Sequence, residues 1–180
     1  MSVTPSSMVS LGTQVPMFSL PDATGKMWSR DEQSSGILVV FICNHCPYVI
    51  HVADVLCDIH KICKKANIEM VGINSNDVQS YPEDSPENMI HTANEYDWEF
   101  PYLFDESQDV AKQFQATCTP DVFLFDSSCK LYYRGQFDDS RPSSGTPDGV
   151  DLKDAISNML DGNSHSTAQK PATGCNIKWK

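Results

Sequence analysis

The sequence predicts a single α/β domain with a central mixed sheet flanked by helices on both faces. Residues 37–42 form a short unbroken apolar run, and residues 68–73 are mostly apolar; both have the composition of buried strands. A helical apolar pattern follows each segment, as is typical of parallel strands joined by helical crossovers. Two later segments, 122–125 and 131–137, flank a short polar segment and predict a hairpin that adds antiparallel strands.

The elements before the first long strand are short. Residues 1–15 are mostly small and polar, and we expect a flexible lead-in there. Residues 17–20 predict a strand that stops at Pro21, and residues 27–28 are expected to pair back with it. After the strand at 37–42, apolar residues recur at helical spacing and predict one helix that carries Val49, Val52, Leu56, Ile59 and Cys63.

The second half continues the alternation. Its remaining elements are a polar loop at 74–84, a helix from Ser85, a strand at 102–104, a brief helix from Ser107 and a last helix at 151–160. Residues 163–180 have no period of their own, but Ile177 and Trp179 are apolar groups that could anchor them. We therefore expect a domain over residues 16–162 and a C-terminal tail over 163–180 that packs on it.

The composition restricts the partners. Hydrophobic residues make up 40% of the 180 residues, enough for a core without disulfide support. The chain has 24 acidic and 13 basic residues, and its net charge of −11 is repelled by nucleic-acid phosphates and anionic lipids. Nucleic acid and membranes are therefore not expected partners. Seven cysteines, an odd number, and the lack of a visible secretory signal indicate a cytoplasmic protein with mostly reduced thiols.

The chemistry is expected at Cys43-Asn44-His45-Cys46, between the first long strand and its helix. Unpaired N–H groups and the dipole at a helix start favour a thiolate, and such sites lower a cysteine pKa from ~8.5 to ~3.5–7.5. Cys43 is then the nucleophile that forms a mixed disulfide, and Cys46 is the resolving thiol. His45 can stabilise the Cys43 thiolate, more so when protonated.

A zinc site is the alternative explanation of a Cys-x-x-Cys segment. The chain has no second Cys-x-x-Cys, and His51 and His60 lie nine residues apart on the same predicted helix, a poor spacing for a shared metal. The position between a strand and a helix start favours redox chemistry instead. No metal and no organic cofactor is expected.

Five stretches carry a family resemblance: residues 43–49, 81–85, 118–121, 133–138 and 174–179. On these, the chain resembles the thioredoxin superfamily and its redoxin branch, which includes the alkyl hydroperoxide reductase/thiol-specific antioxidant group. It looks most like peroxiredoxin-like thioredoxin-domain proteins with Asn-His between the cysteines. The resemblance implies a thioredoxin-like fold, a redox role, and a cis peptide bond before Pro120 that faces the cysteine pair. Cys118 would then lie close to that pair.

The chain departs from the peroxiredoxin motif Pro-x-x-x-Thr/Ser-x-x-Cys. If the peroxidatic cysteine is aligned with Cys46, Val39 replaces the proline and Cys43 replaces the hydroxyl residue. The arginine expected just before the strand that follows Thr119-Pro120 is also missing. The resemblance therefore implies weak reaction with peroxide.

The favoured function is a thiol–disulfide oxidoreductase that acts on protein or small-molecule disulfides and draws on a thiol reductant system. Two alternatives remain: a thiol peroxidase, and a non-enzymatic redox sensor or soft-metal chaperone that binds an ion through Cys43 and Cys46. Cys175 is expected to fold back to the pair as a further resolving thiol, because Gly174 lets the backbone turn tightly there.

Overall fold

A computed structural model describes residues 3–180. The strands are β1 Val3–Pro5, β2 Leu20–Pro21, β3 Met27–Trp28, β4 Gly36–Phe41, β5 Ile68–Asn74, β6 Tyr102–Phe104, β7 Cys118–Thr119, β8 Asp121–Asp126, β9 Leu131–Arg134 and β10 Thr173–Asn176. The helices are α1 Pro47–His51, α2 Ala53–Lys65, α3 Pro86–Glu95, α4 Asp109–Phe114 and α5 Val150–Leu160. None of the helices in this range is long and apolar enough to cross a bilayer.

The central sheet has the strand order β6-β5-β4-β8-β9. β4 pairs in parallel with β5, and β5 pairs in parallel with β6. β8 pairs antiparallel with β4, and β9 antiparallel with β8. Helical crossovers produce parallel pairs and a hairpin produces antiparallel ones, so the sheet is mixed, as the sequence predicts.

Strand β4 is buried on both faces because its side chains alternate between two cores. Leu38 and Val40 pack in a core that includes residues of α2 and α5. Ile37 and Phe41 pack in a second core that includes residues of α4, and the Phe41 and Phe114 ring centroids are 5.5 Å apart. All four β4 side chains have no exposed surface. Helices therefore cover both faces of the sheet.

The N-terminal segment differs from the flexible lead-in predicted for residues 1–15. Within its described part, β1 pairs with β10, the Gly12 N–H donates to the Leu131 carbonyl at 2.8 Å, and the Val15 N–H donates to the Cys129 carbonyl at 2.8 Å. These partners lie on distant segments and satisfy the backbone without any apolar period. The side-chain pattern of residues 1–15 therefore could not predict that this segment is held in place.

The C-terminal tail packs on the domain through β10, which lies between β1 and β7 and pairs antiparallel with both. Ile177 is 1% exposed in the core on the α4 side, and its N–H donates to the Thr117 carbonyl at 3.1 Å. Burying such a side chain is worth ~1.5–3 kcal/mol, which offsets part of the ordering entropy. Of the two expected anchors, Ile177 is buried whereas Trp179 is 44% exposed.

The helix predicted after the cysteine pair is interrupted at Val52, which separates α1 from α2. α1 begins at Pro47, and Cys46 is its N-cap residue. Proline suits the first helical position, because the N–H that it lacks has no partner within the helix there. The helix therefore starts beside Cys46 rather than beside Cys43.

Candidate functional site

The cysteine pair lies where β4 ends and α1 begins, beside the loop that joins β7 to β8. The Cys43 Sγ lies 3.4 Å from the Thr119 Oγ1, and the Cys46 Sγ donates to the Thr119 carbonyl at 3.2 Å. The Thr119–Pro120 peptide bond is cis, as the resemblance implies. Thr119, which the sequence analysis did not single out, therefore contacts both sulfurs.

Cys46 is the centre of a cluster of three thiols. The side chains of Cys43, Cys46 and Cys175 pack in the same buried core cluster, and both neighbouring thiols lower the pKa of Cys46. Cys175 reaches this position because β10 pairs with β7 and places Cys175 opposite Thr119. The three residues are 1%, 0% and 4% exposed for Cys43, Cys46 and Cys175. The structure therefore brings three of the sequence-predicted site residues into one buried cluster.

The ionisation of the pair differs from the sequence expectation. The hydrogen bond from Cys43 lowers the pKa of Cys46 to about 5, and further hydrogen bonds from Cys175, Thr119 and the Val49 N–H act in the same direction. The same hydrogen bond, burial and the nearby Asp84 carboxylate raise the pKa of Cys43 well above its usual range. The low pKa therefore falls on Cys46 mainly through its interaction with Cys43, and the first turn of α1 contributes the smaller effect of the Val49 N–H.

Asp84 holds the polar side of the cluster. It is fully buried, and it accepts hydrogen bonds from the Asn44 N–H at 2.8 Å and the Asn76 Nδ2 at 2.7 Å. The His45 Nδ1 lies 2.8 Å from the Asp84 Oδ2, but the angles are not those of a hydrogen bond. The contact is an ion pair when His45 is protonated. Tyr81 stacks on the His45 ring at 6.0 Å between centroids.

No sequence pattern singles out Asp84, which follows Glu83 in a polar loop. Its burial depends on donors from two other segments, Asn44 and Asn76. The one available signal was that residues 81–85 are among the stretches that carry the family resemblance.

Cys43, His45 and Asp84 also form a set of potential metal ligands. One ligand atom from each lies within 4.8 Å of the other two. Sulfur, nitrogen and oxygen donors of these kinds are the ones that Zn²⁺ accepts in proteins. Motif spacing missed this set because Asp84 comes from a distant loop.

Cys118 and Asp121 flank the cis-proline. The Cys118 Sγ donates to the Pro120 carbonyl at 3.6 Å, and burial raises the pKa of Cys118 well above its usual range, so it stays a thiol. Burial also raises the pKa of Asp121 to about 7, and its Oδ1 has no hydrogen-bond partner. Cys118 therefore lies beside the cis-proline as a neutral thiol, and it does not add a second thiolate to the site.

Comparison with solved structures supports the architecture along the whole chain. A hypothetical protein from Sinorhizobium meliloti is 42% identical, with 98% of each chain covered and a TM-score of 0.95. An uncharacterized conserved protein from Geobacillus kaustophilus is 44% identical, with 100% of this chain and 97% of that chain covered and a TM-score of 0.94.

A secreted Mycobacterium tuberculosis disulfide oxidoreductase is 12% identical, with 78% of this chain and 94% of that chain covered and a TM-score of 0.61. This likeness shows that the fold is thioredoxin-like. None of the curated proteins compared with the chain matches it.

The sequence model of the AhpC/TSA family matches residues 11–134. The matched range contains the cysteine pair, Asp84 and the Thr119–Pro120 loop, and it ends before the tail that carries Cys175. The chain therefore belongs to the AhpC/TSA family, in the redoxin branch of the thioredoxin superfamily.

Proposed function

We propose that this protein is a thiol–disulfide oxidoreductase whose Cys43 and Cys46 cycle between dithiol and disulfide. The observation that carries the proposal is that both buried sulfurs contact Thr119, Cys43 at the Oγ1 (3.4 Å) and Cys46 at the carbonyl oxygen (3.2 Å). The surroundings also lower the pKa of Cys46 to about 5. A thiolate is the nucleophilic form of cysteine, so at neutral pH the reduced pair holds one reactive negative charge. Membership of a thiol redox family supports the same chemistry.

In this proposal the two sulfurs have different roles. Cys46 is enclosed by Cys43, Cys175 and Thr119, whereas Cys43 adjoins His45, whose side chain is 21% exposed. We therefore assign substrate attack to Cys43 and resolution to Cys46, as the sequence predicts. Because Cys43 is the less acidic sulfur, its proton must first pass to Cys46 along the hydrogen bond that joins them.

The reaction then balances in two steps. The Cys43 thiolate attacks a substrate disulfide, a mixed disulfide forms, and the first substrate sulfur leaves with the proton that Cys46 carried. Cys46, a thiolate again, attacks Cys43 and releases the second substrate sulfur as a thiolate, which takes a proton from water. The pair is now a disulfide, and a partner thiol system reduces it. Cys46 thus serves both as the proton carrier and as the resolving nucleophile.

His45 and Asp84 act on the first step through charge. The Asp84 carboxylate opposes a negative charge on Cys43, which is one cause of that cysteine's raised pKa. A protonated His45 at 2.8 Å cancels the charge of Asp84 and makes transfer of the thiolate to Cys43 easier. Both are positioning residues rather than groups that exchange electrons.

Substrates and setting follow from the same proposal. The reaction needs only disulfides and thiols, so the partners are protein or low-mass disulfides and a thiol reductant system, in the reducing cytoplasm. No organic cofactor takes part in these steps.

The test is turnover of oxidised glutathione with the mixed disulfides mapped by mass spectrometry. Cys46→Ser should accumulate glutathione on Cys43, because resolution is lost. Cys129→Ser, which removes a thiol at the distant β8–β9 hairpin, should behave as the wild type. Trapping on Cys46 in Cys43→Ser, with none on Cys43 in Cys46→Ser, would reverse the two roles.

A thiol peroxidase is a second candidate, which the AhpC/TSA match favours. Cys43 stands where the family motif has a hydroxyl residue, so we expect peroxide to turn over more slowly than disulfide. Consumption of hydrogen peroxide, coupled to the same thiol reductant, measures this. A faster rate with peroxide than with oxidised glutathione would make the peroxidase the main function.

Soft-metal binding is a third candidate, which the convergence of Cys43, His45 and Asp84 favours. Equilibrium dialysis of the reduced protein against Zn²⁺ tests it, with Asp84→Asn as the ligand variant and His51→Ala as the control. Stoichiometric binding that Asp84→Asn weakens, without disulfide turnover, would place metal binding above the redox function.

A further inference from the structure

The C-terminal strand is seated on the active site by its backbone. β10 pairs antiparallel with β1 on one side and β7 on the other, and Cys175 lies opposite both Val3 and Thr119. A Cβ at position 174 would lie 2.0 Å from the Thr119 carbonyl oxygen, so only glycine allows so close an approach. The position of Cys175 is therefore set by strand pairing with the residue that also contacts Cys43 and Cys46.

The side chain of Cys175 packs on the same side of the fold as the cysteine pair. It belongs to the core cluster that holds Cys43 and Cys46, and it is 4% exposed. Its strand partner Thr119 accepts a hydrogen bond from the Cys46 sulfur at 3.2 Å, so Cys46 and Cys175 adjoin the same residue. Since Cys46 also contacts Cys43, it has two thiols with which it can form a disulfide, one on each side.

We propose that Cys175 is a third redox thiol, which moves the active-site disulfide from Cys43–Cys46 to Cys46–Cys175. This inference rests on the proposed function, which supplies the first disulfide. The Cys175 sulfur attacks Cys46, the Cys46–Cys175 bond forms, the Cys43–Cys46 bond breaks, and Cys43 leaves as a thiolate that takes the proton lost by Cys175. No electrons enter or leave the protein in this step.

The exchange separates the sulfur that attacks the substrate, Cys43, from the disulfide that remains to be reduced. It returns Cys43 to the reduced state beside His45 and Asp84 while the protein still holds one disulfide, and it joins the tail covalently to the residue that caps α1. The same tail already reaches the polar side, because the Lys178 N–H donates to the Asn76 Oδ1 at 2.9 Å and the Asn76 Nδ2 donates to Asp84 at 2.7 Å. The transferred disulfide would then join the start of α1 to the C-terminal strand.

The experiment is disulfide mapping of the full-length protein after equilibration with a glutathione buffer and alkylation of the remaining thiols. We expect the wild type to contain both Cys43–Cys46 and Cys46–Cys175. Cys43→Ser should contain only Cys46–Cys175, and Cys175→Ser only Cys43–Cys46. Gly174→Ala keeps all three thiols but displaces β10, and it should lower the Cys46–Cys175 fraction at least fivefold relative to Cys43–Cys46.

The outcomes separate the two proposals. If Cys43–Cys46 forms in the wild type and Cys175→Ser, but Cys43→Ser holds no Cys46–Cys175, the third thiol is rejected and the oxidoreductase stands. If the Cys43–Cys46 disulfide forms neither in the wild type nor in Cys175→Ser, the proposed function itself fails. Cys129→Ser is the matched control for loss of a thiol, and thermal unfolding of each variant shows that it is folded.

Discussion

The two thiols that flank Cys46 are held by different means. Cys43 lies on the side of Cys46 that also holds His45 and Asp84, the polar side. Its ionisation there depends on Cys46 and on the charge of Asp84. Cys175 lies on the side formed by β10 and β7, the strand side, where its position depends on the pairing of these strands and on the missing side chain at Gly174. One neighbour is therefore controlled by electrostatics and the other by packing, so substitutions can affect them separately.

The largest effect is expected from Cys46→Ser, because both sides use this sulfur. Disulfide turnover should fall by roughly 10²–10⁴-fold, the usual scale for removing a group that moves a proton in the reaction. Steady-state kinetics with oxidised glutathione measures the loss, and Cys57→Ser, on α2 where the sulfur donates to the Tyr96 carbonyl, is the control. Retained turnover would show that neither flanking thiol depends on Cys46.

Gly174→Ala should affect the strand side most. The new Cβ would meet the Thr119 carbonyl at 2.0 Å, so β10 must shift, and such overpacking costs about 1–3 kcal/mol of the free energy of unfolding. Urea unfolding measures the loss. Because Thr119 also contacts the Cys43 sulfur, the pH dependence of Cys43 alkylation should change, but less than in Asp84→Asn. A change as large as that of Asp84→Asn, with unchanged stability, would contradict the separation of the two sides.

Asp84→Asn should affect only the polar side. The Asp84 charge contributes to the raised pKa of Cys43, so removing it lowers that pKa, and a shift of one unit would increase Cys43 alkylation at neutral pH by about tenfold. Asparagine keeps an oxygen that can accept the Asn44 N–H. Alkylation rates read by mass spectrometry across pH are the measurement, with Cys175 as the internal reference. Slower alkylation of Cys43 would show that Asp84 assists its thiolate.

The parts that could be predicted from sequence share a local cause. The mostly apolar segments at 37–42 and 68–73 predict buried strands, and the Cys-x-x-Cys segment between a strand and a helix predicts where the candidate site lies. β10 could not be found in this way, because Thr173–Asn176 has no apolar period and forms by backbone pairing with two distant strands.

The details of the site depend on small distances that a pattern does not contain. Which cysteine is the more acidic follows from the residue at which α1 begins, Pro47, and from thiol contacts on both sides of Cys46. The burial of Asp84 follows from donors on two other segments of the chain. Sequence reasoning therefore identified the pair, whereas the distribution of charge and the residues around it required the fold.

If Cys43 and Cys46 are oxidised together to one disulfide, a redox titration should show a single transition for both thiols. The full-length Cys175→Ser protein is equilibrated in glutathione buffers of graded potential, alkylated and mapped by mass spectrometry. We predict that both thiols disappear together in a single two-electron step, as a disulfide between Cys43 and Cys46. The account is contradicted if both thiols remain alkylatable at every potential, or if each forms a separate glutathione adduct.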